Sequence, residues 1–285
     1  MPERLNGVIK QLEAGKHVHV CFSQPDRESA LAVSTSDYDA VVFEMEHNPW
    51  DIAALRDGLQ WMLNRKQILD SGTLAPQVTP IVRIPPNGVE QNSWVAKQAL
   101  DLGVYGIVWP HISSVEQAYS AVGARRYPRL KDKPYYEPAG IRGDAPGAAA
   151  RYWGIGNQDY YKVADVWPLN PDGEVLAILM IEDTVGIANL PDILKNVPGI
   201  GVILIGEGDL SQELGVPRQY RHPEVVAAMD EVLAHCKAAN VPVGHPHVDS
   251  DNIEWVLEKG YRWLMTSPGR SYGALNKARE LTGRA

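Results

Sequence analysis

The sequence predicts an α/β protein that folds as a single-domain (β/α)8 barrel with parallel strands. Short apolar runs rich in β-branched residues alternate with helical patterns along most of the chain, and hairpin signals between them are few. Eight such runs occur in 285 residues, a length at which a β/α barrel commonly forms one domain. The alternative, a doubly wound open sheet, lacks its usual G-x-G-x-x-G turn after the first strand.

The predicted elements alternate regularly. The strands are 18–22, 40–43, 80–84, 106–109, 176–181, 202–205, 241–244 and 263–265. The helices between them are 27–36, 51–64, 91–102, 114–124, 184–196, 222–240 and 249–259. A short amphipathic helix over residues 3–14 precedes the first strand, because four apolar residues share one helix face: Leu5, Val8, Ile9 and Leu12.

Two segments depart from this alternation within the single domain, residues 1–285. Residues 125–174 form an irregular excursion rich in Pro, Gly and Tyr, too long for a plain connecting loop. It either packs short helices at 151–153 and 159–162 on the body, with an exposed aromatic patch for subunit contact, or simply covers the side of the barrel. Residues 270–285 are predicted to form a helical tail that has no evident partner in the chain.

Composition excludes several classes of protein. The net charge of −8 argues against a sequence-independent nucleic-acid binder, and no apolar run approaches the roughly 18 residues of a membrane span. Only two cysteines occur, in no metal-binding spacing, and the N-terminus lacks the apolar core of a signal peptide. We therefore expect a cytoplasmic protein that binds neither nucleic acid nor membranes.

Two neighbouring predicted strands end in acidic residues. Glu182 and Asp183 follow one apolar run, and Asp209 follows the next within Gly206-Glu207-Gly208-Asp209. Strand ends meet at one rim of a parallel barrel, so Glu182 and Asp209 could hold a hard cation such as Mg²⁺ or Mn²⁺. Asp183 faces the opposite way, since adjacent strand residues alternate. Alternatively, Glu182 pairs with a rim arginine.

A competing zinc site would use three histidines on the same rim: His111, His245 and His247. Pro246 between the last two indicates a turn, which favours separate hydrogen-bonding roles for these imidazoles. The turn from Gly206 to Asp209 precedes a short helical start, and its backbone N–H groups could bind a carboxylate.

His47 and Arg83 are the candidate catalytic residues. His47 follows Glu44 and Glu46, and a nearby carboxylate would raise the basicity that a general base needs. A purely structural pairing of His47 with Glu46 is the alternative. Arg83 lies near the end of an apolar strand, where its guanidinium needs either these glutamates or an anionic substrate group as a partner.

Several segments in order along the chain resemble the HpcH/HpaI aldolase family of class II, metal-dependent pyruvate aldolases. The matching segments are 44–49 (Glu-Met-Glu-His-Asn-Pro), 82–85 (Val-Arg-Ile-Pro), 99–103, 106–110, 124–128, 140–143, 181–182 and 205–211. The resemblance covers nearly the whole chain, and the combination of segments is specific.

The resemblance implies a barrel that assembles into homo-trimers or homo-hexamers by exchanging a C-terminal helix. It also implies a divalent cation, Mg²⁺ or Mn²⁺ with Co²⁺ possible, on Glu182 and Asp209. The 2-oxo acid, pyruvate, would chelate this cation, with its carboxylate on the turn of Gly206, Gly208 and Asp209. Arg83 would stabilise the enolate oxygen, and His47 with Glu44 would transfer protons through water. The other substrate would be an aldehyde.

The chain departs from the family pattern at several positions near the site. Glu44 stands where the family usually has Asp, and Asn48 follows His47 in place of a small residue. Met180 occupies the usual position of a Gln, and Glu207-Gly208 replaces Pro-Ala before Asp209. These departures concern substrate identity and proton transfer, whereas His47, Arg83, Glu182 and Asp209 are kept.

The predicted function is cleavage or formation of 4-hydroxy-2-oxo acids by a metal-dependent carbon–carbon lyase. One alternative is a citrate-lyase-β-like enzyme that acts on a CoA ester. The other is a non-catalytic descendant that binds a complex of metal and oxo acid.

Overall fold

A computed structural model describes residues 3–85, 93–267 and 272–284, and these residues fold around a closed parallel barrel. The strands are β1 Val18–Ser23, β2 Ala40–Glu44, β3 Thr79–Arg83, β4 Gly106–Trp109, β5 Val166–Trp167, β6 Val175–Ile181, β7 Val202–Ile205, β8 Val243–Val248 and β9 Trp263–Thr266. All pairings are parallel, and the β4–β6 and β1–β9 pairings close the ring of eight strands. The two-residue β5 pairs only with the start of β6.

Helices follow most strands and form the outer layer. They are α1 Gly7–Glu13, α2 Arg27–Ser34, α3 Ile52–Met62, α4 Arg65–Ser71, α5 Ser93–Leu102, α6 Val115–Gly123, α7 Gly147–Trp153, α8 Asn157–Val163, α9 Thr184–Asn196, α10 Glu207–Glu213, α11 Pro223–Ala238, α12 Ile253–Lys259 and α13 Gly273–Leu281. No helix among the described residues combines the length and apolar character needed to cross a bilayer. Residues 91–92 of the predicted helix 91–102, and 270–271 and 285 of the predicted tail, lie outside the described residues.

The barrel interior is a packed apolar core, filled by every second residue of the strands. Representative members are Val20, Val42, Ile178, Leu204 and Trp263, all fully buried. Helix α1 closes the N-terminal end of this core with the buried side chains of Val8, Ile9 and Leu12. A second, larger core lies between the strands and the surrounding helices. The interior therefore offers no channel, and a substrate site has to form at the end opposite α1.

The segment 125–174 contains regular secondary structure, namely α7, α8 and β5. Three of its aromatic residues, Tyr152, Trp153 and Tyr160, are buried, and Trp153 stacks on Tyr105 with ring centroids 4.3 Å apart. The prediction of an exposed aromatic patch is therefore wrong for these three residues. The segment covers the side of the barrel, where Arg126 forms a buried ion pair with Asp165 at 2.6 Å.

The C-terminal tail has partners within the chain, contrary to the expectation from sequence. Leu275 and Ala278 of α13 are buried, and α13 packs against α12. Arg284 forms an ion pair with Asp39 at 2.7 Å, close to the start of β2. Exchange of this helix between subunits stays a prediction, because it requires a second copy of the chain.

One strand boundary differs from the prediction in a way that affects the site. Strand β8 spans 243–248, not 241–244, so His245, Pro246 and His247 lie within the strand and do not form a turn after it. The pairing of β8 with β9 shifts register between His245 and Val248. Such an irregularity redirects side chains relative to the regular alternation.

The cap of α1 depends on one buried residue, and its loss provides a test of this packing. Asn6 Oδ1 accepts hydrogen bonds from the backbone N–H groups of Val8 and Ile9, and its Nδ2 donates to the carbonyls of Tyr105 and Glu174. We expect Asn6→Ala to lower the free energy of unfolding by about 1–3 kcal/mol, because buried polar groups lose their partners. Urea denaturation measures this. The exposed Asn196→Ala should change stability by less than about 0.5 kcal/mol, and equal effects would contradict the assignment.

Candidate active site

The polar residues of the barrel mouth continue the alternation of the apolar interior. After Val42, Ile81, Met180 and Leu204, the next inward positions are Glu44, Arg83, Glu182 and Gly206. These residues line a cavity of about 450 Å³ at the carboxyl ends of the strands, together with His47, Met180, Gly208 and Asp209. The structure thus places all the predicted site residues around one cavity.

The two predicted metal ligands lie together, and a third group joins them. One ligand atom each from Glu182, Asp209 and His111 lies within 4.8 Å of the others. Glu182 is buried, His111 is partly buried and Asp209 is exposed to the cavity. Carboxylate oxygens with an adjacent imidazole fit a divalent cation of the Mg²⁺ or Mn²⁺ type, which retains positions for water or substrate.

Glu182 is held in a compact pocket at the end of β6. Its Oε1 accepts a hydrogen bond from the backbone N–H of His111 at 2.5 Å. Oε2 accepts none among the residues that the structure describes. A Cβ at Gly206 would lie 2.2 Å from Oε2, so the absence of a side chain there makes room for the carboxylate. Burial raises the pKa of Glu182 to about 7, a shift that a bound cation would oppose.

His111 reaches this pocket through an unusual backbone conformation after β4. Its φ of 57° lies in the left-handed region, which directs its backbone N–H at Glu182. Its Nε2 lies 3.4 Å from Oε1 of Glu46, and this hydrogen bond raises the pKa of His111 to about 9. The alternative zinc site is not formed, since His111 groups with Glu182 and Asp209 and not with His245 and His247.

Arg83 lies between Glu44 and Glu46, which are one of the two kinds of partner that the sequence predicts for it. Its guanidinium contacts Glu44 Oε2 at 2.5 Å and Glu46 Oε2 at 2.9 Å, and it stacks on the ring of Phe22. Met180, at the position where the family usually has Gln, brings its sulfur to 3.8 Å from Nη1 of Arg83. The predicted partnership of Arg83 with these glutamates is observed.

Glu44 contacts the backbone of His47 and not its imidazole. Glu44 Oε1 accepts hydrogen bonds from the backbone N–H groups of Glu46 and His47, at 2.9 and 3.2 Å. The imidazole of His47 is two-thirds exposed, and its Nε2 lies 3.7 Å from Glu46. Glu44 therefore shapes the turn that carries His47 and anchors Arg83, and Glu46 is the carboxylate nearest the His47 ring.

Asp183 faces away from the cavity, as the alternation of strand residues predicts. It accepts hydrogen bonds from Ser113 Oγ and from the backbone N–H of Gly186, which makes it the N-cap of α9. Its role is thus structural.

Glu207 forms a second polar cluster that sequence reasoning did not identify. Its carboxylate is 1% exposed and faces two imidazoles, with Oε1 at 2.5 Å from His247 Nδ1 and Oε2 at 3.7 Å from His245 Nε2. The available signals were the replacement of a usual Pro by Glu207 and the H-x-H spacing. Neither signal reveals that Glu207, which follows β7, meets the two histidines of β8.

Comparisons with known proteins identify relatives over most of the chain. The model of the HpcH/HpaI aldolase/citrate lyase family matches residues 19–267. A hydroxypyruvate/pyruvate aldolase of Roseobacter denitrificans is 29% identical over 93% of this chain and 91% of its own. A 2-keto-3-deoxy-L-rhamnonate aldolase of Klebsiella pneumoniae is 31% identical over 89% of this chain and 83% of its own.

A solved structure shows the same architecture. An HpcH/HpaI aldolase/citrate lyase family protein from Burkholderia cenocepacia superposes with a TM-score of 0.76 at 28% identity and covers 97% of both chains. The match over most of the chain, together with the acidic pair at the barrel mouth, identifies this protein as a member of the HpcH/HpaI aldolase/citrate lyase family.

Proposed function

We propose that the protein is a divalent-metal-dependent aldolase that interconverts 4-hydroxy-2-oxo acids with pyruvate and an aldehyde. The observation that carries this proposal is that Glu182 and Asp209 line one cavity of the barrel mouth with Arg83, and that His111 lies beside this acidic pair. The names of the relatives, which include a pyruvate aldolase of Rhizobium etli at 30% identity, support pyruvate as the common product.

Charge balance at the site supports a divalent cation. Carboxylates outnumber basic groups here, since Glu44, Glu46, Glu182 and Asp209 lie around Arg83 and His111. Mg²⁺ or Mn²⁺ would offset this excess of acidic groups, and Co²⁺ carries the same charge. When bound, the cation supplies a Lewis acid for the negative charge that develops on the oxygens of the 2-oxo acid.

Glu182 and Asp209 would hold this cation, and the remaining residues would bind and orient the substrate. Arg83 is held on one side by Glu44 and Glu46, and its remaining N–H groups would donate to the oxygen at C2 of the 2-oxo acid. The N–H groups of Gly208 and Asp209 lie in the first turn of α10 and would bind the substrate carboxylate, whereas the N–H of Gly206 already donates to the carbonyl of Ile181 at 3.0 Å.

In cleavage, the 4-hydroxyl loses its proton, the C3–C4 bond breaks, and its electron pair forms the enolate of pyruvate. The aldehyde leaves, and C3 then gains a proton to give pyruvate. The exposed imidazole of His47 would exchange these protons with water, with Glu46 as its nearest carboxylate. Glu44 would act indirectly, through the position of Arg83 and the backbone of His47.

The assembly and location of the protein are part of the same proposal. We expect a homo-trimer or homo-hexamer in solution, formed by exchange of a C-terminal helix. Cys21 and Cys236 are both free and buried, which suits a reducing compartment such as the cytoplasm.

Exchange of the methyl protons of pyruvate with deuterated water tests the proposed chemistry directly. The protein treated with a chelator should show no exchange, and added Mg²⁺ or Mn²⁺ should restore it, because the cation stabilises the enolate. NMR measures the loss of the methyl signal. Absence of exchange with every divalent cation tried would exclude the aldolase, whereas turnover of a CoA ester in place of hydroxy-oxo acids would favour the lyase alternative.

Removal of either predicted ligand charge should abolish the metal-dependent reaction without unfolding the protein. We expect Glu182→Gln and Asp209→Asn to lower kcat/KM by on the order of 10²–10³ or more, with retained circular dichroism. Asp183→Asn is the matched control, since this neighbouring residue faces away from the cavity and asparagine also caps helices. Normal activity in either ligand variant would show that the cation binds elsewhere.

Arg83 should contribute to kcat more than to substrate binding. Lysine keeps the charge but cannot contact both Glu44 and Glu46 while it donates to an oxyanion. Arg83→Lys should therefore lower kcat by a factor on the order of 10²–10³. Steady-state kinetics of cleavage measures this, with the exposed Arg151→Lys on α7 as the control. A wild-type kcat in Arg83→Lys would remove Arg83 from the proposed chemistry.

A further inference from the structure

His247 is positioned at the junction of two cavities. It lines the cavity of about 450 Å³ that contains Glu182, Asp209 and Arg83. It also lines a neighbouring cavity of about 760 Å³, whose other walls include Arg221, Asp249 and Asn252. A substrate whose reacting atoms lie against Arg83 and whose remaining atoms extend toward the larger cavity would therefore pass the imidazole of His247.

The backbone of β8 brings His247 to this junction. Pro246 and His247 are adjacent in sequence, yet both line the smaller cavity. Regular alternation would send one of them to the other face, and the register shift between His245 and Val248 removes that restriction. The backbone N–H of His247 donates to Nδ1 of His245 at 3.2 Å, which holds this irregular segment in place.

Two contacts fix the imidazole of His247 in one orientation. Nδ1 lies 2.5 Å from Oε1 of the buried Glu207. The ring stacks on Tyr220 with centroids 4.9 Å apart and planes 6° apart. Because a carboxylate accepts the hydrogen bond, Nδ1 carries the proton in the neutral ring, and Nε2 is left as an acceptor. Nε2 has no hydrogen-bond partner within the described parts of the chain.

We propose that His247, held by Glu207, is a specificity-determining residue for the aldehyde half of the substrate. Its Nε2 accepts a hydrogen bond from a hydroxyl group on the carbon next to the aldehyde carbonyl. This inference rests on the proposed aldolase function and adds the class of aldehyde, an α-hydroxy aldehyde. A hydroxyl suits this position better than a methyl or a carboxylate, since an acceptor nitrogen requires a donor.

Glycolaldehyde and propanal form a matched pair for the test, because they differ by a hydroxyl in place of a methyl group. The quantity measured is the ratio of kcat/KM for glycolaldehyde to that for propanal in condensation with pyruvate. We expect His247→Leu to lower this ratio roughly tenfold relative to the wild type, the effect of about one lost hydrogen bond. The ratio cancels any general loss of activity from altered folding or metal binding.

The role of Glu207 as a positioning residue is tested by two substitutions. Glu207→Gln keeps an oxygen that accepts from His247 Nδ1 and should retain most of the wild-type ratio. Glu207→Ala releases the ring and should lower the ratio toward that of His247→Leu. His235→Leu serves as the control, because His235 lies on α11 and lines neither cavity. This variant should keep the wild-type ratio.

Two results would overturn the proposal about His247. One is a wild-type ratio in His247→Leu, and the other is the same ratio in Glu207→Ala and Glu207→Gln. Exchange of pyruvate methyl protons by the wild-type protein needs no aldehyde, so it separates this inference from the proposed function. Exchange combined with an unaltered ratio in His247→Leu would reject only the role of His247, whereas absence of exchange would reject the aldolase itself.

Discussion

The buried carboxylate of Glu182 sets the arrangement of the barrel mouth. Burial raises its pKa to about 7, and a charged carboxylate in this position requires donors and nearby positive charge. The surrounding backbone provides a hydrogen-bond donor and the space for the carboxylate. His111 adopts a left-handed conformation and donates its N–H, and Gly206 leaves the space that any side chain would fill. A divalent cation between Glu182 and Asp209 would supply positive charge that further offsets the burial of the carboxylate.

A chain of ion pairs extends outward from this carboxylate. Glu46 connects His111 to Arg83, and Arg83 connects Glu46 to Glu44. Each charged group therefore has a partner of opposite sign, which keeps the guanidinium and the imidazole in fixed positions before a substrate binds. Such preorganisation is the main way in which enzymes stabilise charge that develops during a reaction. The rigid barrel below, filled by apolar side chains, makes it possible.

Two similar Glu–His contacts lie at the barrel mouth and differ in distance and packing. Nε2 of the exposed His47 lies 3.7 Å from the buried Glu46, whereas Nδ1 of the half-exposed His247 lies 2.5 Å from the buried Glu207 and its ring stacks on Tyr220. The exposed imidazole exchanges freely with water, which suits proton transfer. The fixed imidazole suits recognition of a particular group. The same pair of residue types thus suits two different purposes, because contact distance and ring stacking differ between the two pairs.

The sequence alone determined the barrel, the rim residues and the orientation of Asp183, because strand periodicity decides which side chains point inward. Helix α9 matches its predicted bounds, 184–196, since Asp183 caps it. Only the tertiary structure decided which groups meet. Glu44 pairs with Arg83 and not with the His47 ring, because register aligns Glu44 directly with Arg83 on the adjacent strand. Glu207 and His247 are 40 residues apart, and the irregular β8 brings them together. The local sequence pattern indicates which face of a strand each side chain occupies. Contacts between distant segments depend on strand register and on irregularities of strand pairing, which only the folded chain specifies.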